Sequence, residues 1–337
     1  MNLGWIILIL LFSISFCTYI HIILHELGHF LFGLIEKNKF YALGIGNNVL
    51  IKENGKIKIK NHEISGYGGY CIMIPPKPKN NEIPYFWVLA GGSILNIISS
   101  IAVLLLILFI PLNEIIYYFS IVFVILGFYA GIINLLPLKI SVGSDGCKIL
   151  SLYKNKQARK YLYDLRIATI KLFEGIQIKD LPQNILAISD DVNFNNPILA
   201  SIRVIEADRY WENEEYEKAV EKYKSLLTED IKLTNVNKNN ILCQLLYFEI
   251  MKGNEEEAHN LMTKKLKKYI KSSYNLIDKK RLMYAYTVLI EKDVEKSEEI
   301  WYDFHDACEK NLNKSEVESE SEMMDYIGEL GIEKGIL

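Results

Sequence analysis

No lysine or arginine precedes Lys37, and none interrupts the link Pro111-Leu112-Asn113-Glu114. A secretory leader needs a basic start and a removable apolar core. Here the apolar run continues straight into His25 and Glu26, so a retained segment is expected rather than a cleaved one. Cysteine is sparse and scattered, at Cys17, Cys71, Cys147, Cys243 and Cys308. An odd count with no Cys-x-x-Cys argues against a disulfide framework and suits free thiols in a reducing compartment or in lipid. Basic excess is missing too. A formal net charge of -3, with no basic stripe carrying interleaved aromatics, excludes the usual nucleic-acid binder.

What is present is unevenly spread. The 337 residues suffice for two domains, with a strongly apolar first third and a last half rich in Lys, Glu and Asn. Three apolar runs, at about 5–35, 85–110 and 115–136, reach the roughly 20 helical residues a bilayer needs. Trp5, Tyr85-Phe86-Trp87 and Tyr117-Tyr118 fall at their ends, where an aromatic belt would sit. The stretch between the first two runs carries Lys37, Lys39, Lys52, Lys56, Lys58, Lys60, Lys77 and Lys79. By the positive-inside rule that loop is cytoplasmic, as is everything after the third run, and the N-terminus lies outside. A multi-pass cell-membrane protein is expected.

The first run ends in His25-Glu26-Leu27-Gly28-His29. Two histidines four apart on a helix share one face and can hold one zinc ion, with the adjacent glutamate placed to act as a base. Such residues are costly in a lipid-length segment unless they face a site. A catalytic zinc usually takes a third protein ligand. His21 is one candidate, but about 12 Å of helix axis separates it from His29, so donation to a neighbour or a place on a water path suits it better. Asp145, in Gly143-Ser144-Asp145-Gly146, is another. Spacing alone leaves it either a ligand or the cap of a helix starting at Cys147. Gly66 to Tyr70, flanked by Ile59, Ile64, Ile72 and Ile74, reads as a hairpin ended by Pro75-Pro76.

Residues 20–150 resemble the site-2 proteases, intramembrane zinc metalloproteases. The likeness rests on the His25 to His29 motif and on Asn134-x-x-Pro137 followed by Asp145-Gly146. Gly68-Gly69-Tyr70 is similar to the family's strand-loop between its first two core helices, and Gly92-Ser93-Ile94-Leu95-Asn96 to its Gly-Pro-x-x-Asn. Ser93 stands where proline is usual, and Pro137 lies farther from Asp145 than in the commonest form. The resemblance implies zinc (Zn2+) held by His25, His29 and Asp145, Glu26 as base, Asn96 as an active-site polar group, and Gly68, Gly69 and Tyr70 beside the substrate. That substrate would be a transmembrane protein or a hydrophobic peptide in the lipid bilayer. A non-catalytic membrane anchor for a scaffold is the rival reading.

Beyond the core (1–155) come linker helices (156–195) and a cytoplasmic helical-repeat domain (196–337). One helix is expected from Cys147 to about Glu174. Ala219, Ala258 and Ser297 recur every 39 residues, in register with Tyr223, Met262 and Trp301 and with Trp211, Ile250 and Leu289. This is the pattern of stacked helix pairs, resembling tetratricopeptide-type repeats, with a concave face for a protein partner. Ser315 to Glu322 reads as a solvated link. The expected fold class is mainly α: a polytopic transmembrane core with a small β-hairpin, plus a soluble α-helical solenoid.

Overall fold

The computed structural model describes all residues except 1–2, 54, 62–67, 80–82, 138–143, 154, 187, 190–191, 229–230, 232 and 312, and omits the side chains of 3, 6, 61, 183, 186 and 314. The chain is mainly helical and divides into two compact units, one ending at Arg166 and the other running from Ile167 to Leu337.

In the first unit, α1 (Leu3–Ile35), α2 (Phe86–Phe109) and α3 (Glu114–Leu135) are each long and apolar enough to cross a membrane. Their polarity is inverted. Phe12, Phe109 and Tyr129 are 66%, 80% and 64% exposed, while Ser13, His21, Glu26, Ser93, Asn96 and Ser100 are buried. An apolar outside around a polar inside suits a lipid solvent. Close helix approach comes from small residues: a Cβ on Gly28 or on Gly91 would run into the other's carbonyl. Glu36, just past α1, caps α2 by accepting from the amides of Trp87 (2.9 Å) and Val88 (3.0 Å).

Between α1 and α2 lies a four-stranded sheet made of β1 (Lys39–Ile45), β2 (Asn48–Glu53), β3 (Lys56–Asn61) and β4 (Gly69–Ile74), in the order β3-β2-β1-β4. The expected hairpin is corrected here. Strands β3 and β4, which carry Ile59 and Ile72, are the two edges of the sheet and do not pair. Instead β2 and β1 lie between them, and β1 pairs with both β2 and β4, with Leu43 opposite both Leu50 and Cys71. Tight turns at Gly46 (φ 55°) and Gly55 (φ 78°) join β1 to β2 and β2 to β3. Ile64 and Gly66 lie outside the described residues.

The helix expected from Cys147 onward is two: α4 (Asp145–Leu152) and α5 (Lys156–Phe173). Asn155 restarts the chain by accepting from the amide of Ala158 (2.9 Å).

The second unit holds α6 (Gln183–Leu186), α7 (Pro197–Glu212), α8 (Tyr216–Leu226), α9 (Asn235–Met251), α10 (Glu255–Leu261), α11 (Lys264–Ser272), α12 (Ile277–Tyr286), α13 (Val294–Lys310) and α14 (Lys314–Glu333). Helix α7 packs on α8, α9 on α10, and α12 on α13 and α14. Ala219, Ala258 and Ser297 are fully buried at these contacts. The supposed link at Ser315 to Glu322 is the first half of α14, begun by Asn313 accepting from the amide of Glu316. Its Glu320 pairs with buried Arg281, and Met324 and Ile327 on the same helix are fully buried in the core, with Val317 packed against it.

Candidate metal centre

The spacing in α1 puts the Nε2 atoms of His25 and His29 3.1 Å apart. Asp145 Oδ2 lies 3.1 Å from Nε2 of His25 and 3.3 Å from Nε2 of His29. Asp145 does not cap its helix. Ser144 does so, accepting from the amide of Cys147 (3.2 Å), which frees the Asp145 carboxylate to face α1. The other oxygen, Oδ1, accepts from Lys148 Nζ at 3.1 Å.

Hydrogen bonding sets the chemistry of this triangle. Nδ1 of His29 lies 2.6 Å from the carbonyl of Val88, which can only accept, so that nitrogen carries the proton and Nε2 is bare. Nδ1 of His25 has no partner among the described residues, so its Nε2 can either donate to Asp145 or, deprotonated, join His29 and Asp145 in facing a cation. Bonds of about 2.0–2.2 Å in a tetrahedral site place neighbouring donors about 3.3 Å apart, close to the edges seen here. The three donors fit one metal ion. The carbonyl of Val88 orients His29 in the manner of a supporting outer ligand.

These residues line a cleft of about 550 Å³ together with Glu26, Asn96, Gly68, Gly69 and Tyr70. The structure thus brings every expected site residue to one cavity, a size usual for ligand sites. Edge strand β4 lies so close to Glu26 that a Cβ on Gly69 would sit 2.7 Å from its Cγ. His21 is not among the metal donors: Nε2 lies 2.8 Å from the carbonyl of Phe123 and Nδ1 3.4 Å from Oδ1 of Asn96. It ties α1 to both other long helices.

Comparison with family models, with curated proteins and with solved structures returns no match. The site therefore stands on its own geometry. Sequence reasoning missed Lys148 and Arg166, both on the cleft wall. Lys148 had a signal, three residues after Asp145 on one helix face. Arg166 had none, because only the fold brings α5 to the cleft.

Proposed function

We propose that this chain is an intramembrane zinc metalloendopeptidase of the site-2 protease type. The observation that carries the reading is the convergence of His25, His29 and Asp145 with a buried Glu26 in one cleft of an apolar helix cluster. A zinc ion held by those three residues would act as a Lewis acid, acidifying water and polarising the scissile carbonyl. Glu26 takes the proton of the attacking water on a carboxylate oxygen and hands it to the leaving amine nitrogen. The Asn96 amide, held beside His21, donates to the carbonyl oxygen as charge develops there.

A helical substrate keeps its carbonyls hydrogen-bonded, so it must unwind before cleavage. Among the described residues strand β4 pairs with β1 on one side only, and its outer edge is suited to hold an unwound segment extended beside Glu26. The Lys-rich stretch after α1 supports a cytoplasmic placement for the sheet and for the second unit, with the N-terminus outside.

The 39-residue period supports a solenoid of helix pairs that selects a protein partner or substrate. It recurs in the backbone: Glu214, Gly253 and Lys292 all have left-handed φ (61°, 74° and 57°), one at each successive turn. A scaffold with a purely structural metal has no use for a base, and the buried Glu26 speaks against it.

The test is Glu26→Gln co-expressed with single-span membrane proteins. Cleavage should fall by about 10²–10⁴-fold. Equal cleavage by the variant would overturn the mechanism.

A further inference from the structure

Three closed-off polar atoms on the cleft wall have no hydrogen-bond partner among the described residues: Nδ1 of His25, the hydroxyl of Tyr70 and Nη1 of Arg166. Only the guanidinium is charged at every accessible pH. Arg166 stands on α5, within the first unit.

Glu26 shares the cleft wall and is kept for the attacking water, and the groups that act on Arg166 electrostatically, Glu36 and Cys71, supply no partner. Glu36 attracts Arg166 electrostatically, but both its oxygens accept from the amides that begin α2. Asp145 faces the two imidazoles with one oxygen and Lys148 with the other. Cys71 lies electrostatically between Glu26 and Arg166, and burial pushes its thiol up to about 12, so it supplies no anion. What remains is a half-buried cation with one closed-off, open donor, Nη1, beside the place where a peptide would lie. A free guanidinium N–H in a low-dielectric cleft is costly, and a carboxylate satisfies it by charge and by fork geometry together. A neutral amide would leave the charge uncompensated.

We infer that Arg166 is a specificity-determining residue whose guanidinium receives a carboxylate of the bound peptide. The inference rests on the peptide-binding reading above and adds the chemistry of the segment bound. That carboxylate is either an acidic side chain or a free C-terminus.

Binding measured without cleavage tests it. Full-length protein carrying Glu26→Gln is titrated with three fluorescent leucine-alanine peptides. One has an internal Asp and an amidated end, one an Asn and a free C-terminal carboxylate, and one an Asn and an amidated end. One of the two acidic peptides should bind on the order of 10- to 100-fold more tightly than the neutral one, and which of them does so identifies the source. Adding R166Q should abolish the preference, and R166K should keep part of it. Equal or absent binding of all three, or a preference that survives R166Q, overturns the inference. The peptide comparison on Arg166-containing protein needs no variant at that position, so misfolding of R166Q cannot mask the answer. If the preference holds while protein with Glu26 intact cleaves nothing, the protease reading falls and this one stands.

Discussion

Nε2 of His25 lies 3.1 Å from Oδ2 of Asp145, although 120 residues of chain separate them. The contact needs α1, α3 and the start of α4 to be in place together, and Ser144 to take the capping role. Purified protein should therefore carry a divalent metal that His25→Ala and Asp145→Asn each weaken by more than about 100-fold, since loss of an outer ligand alone costs 10–100-fold. Elemental analysis after dialysis checks this. Unchanged metal content in both variants would place the ion elsewhere.

The seat of His25 makes a separate prediction. A Cβ on Gly92 would stand 2.7 Å from Nδ1 and Cε1 of the imidazole, closer than real contacts allow. Gly92→Ala leaves every ligand present but displaces one of them. Metal affinity should fall by about 10-fold or more. Leu105→Ala, on the outward, exposed face of the same helix, serves as the control. Equal affinities for the two variants would show that the α2 surface does not set the ring position.

Much of this was readable from the chain. Lipid-length apolar runs are a long-range signal, and the observed helices begin and end within about two residues of those expected. The zinc-type motif was readable because its spacing is that of one helix face. Asp145 was not settled by spacing, since cap and ligand look alike until Ser144 is seen to cap. The sheet was half legible: Gly46-Asn47 and Asn54-Gly55 are turn signals, but the pairing of β4 with β1 is a long-range choice. Glu36 and Arg166 act across 50 residues or more and leave no local pattern. The order in Ser315 to Glu322 was hidden because its partner, Arg281, is 39 residues away from Glu320.

The repeated turns carry strain at two of their three positions. Glu214 and Lys292 hold φ values that cost an L-residue about 1–2 kcal/mol, whereas Gly253 adopts the same region freely. The first two turns close alike, Glu215 to Tyr210 and Asn254 to Glu249, both at 2.9 Å. In the third, Asp293 reaches Thr287 at 3.2 Å, one residue farther, across the π turn Thr287–Glu291. Glu214→Gly should stabilise the helical unit by about 0.5 kcal/mol and Gly253→Ala should destabilise it by about 1 kcal/mol. Thermal melting of the full chain reads both. A stabilising Gly253→Ala would show that the turns are not equivalent.

Two half-buried acids should make the helical unit less stable as pH rises. Burial pushes the Asp208 carboxyl up to about 7, against the hydrogen bond from Tyr223 and helped by Glu212 and Asp278. Burial, with Asp278 and Glu320 nearby, pushes Glu316 up to about 7 as well, against Asn311 and Lys279. In the unfolded chain both release their protons near pH 4. Below that pH the folded and unfolded states are protonated alike and the groups contribute nothing. Between about pH 4 and 7 the native state keeps protons the unfolded state has lost, so stability falls with rising pH, by on the order of 1 kcal/mol per pH unit for each group. Above about 7 the full cost is in place. The melting temperature should therefore drop from about pH 5.5 to about pH 8, and Asp208→Asn with Glu316→Gln should flatten that drop. A profile unchanged by the double substitution would mean that other groups set the pH dependence.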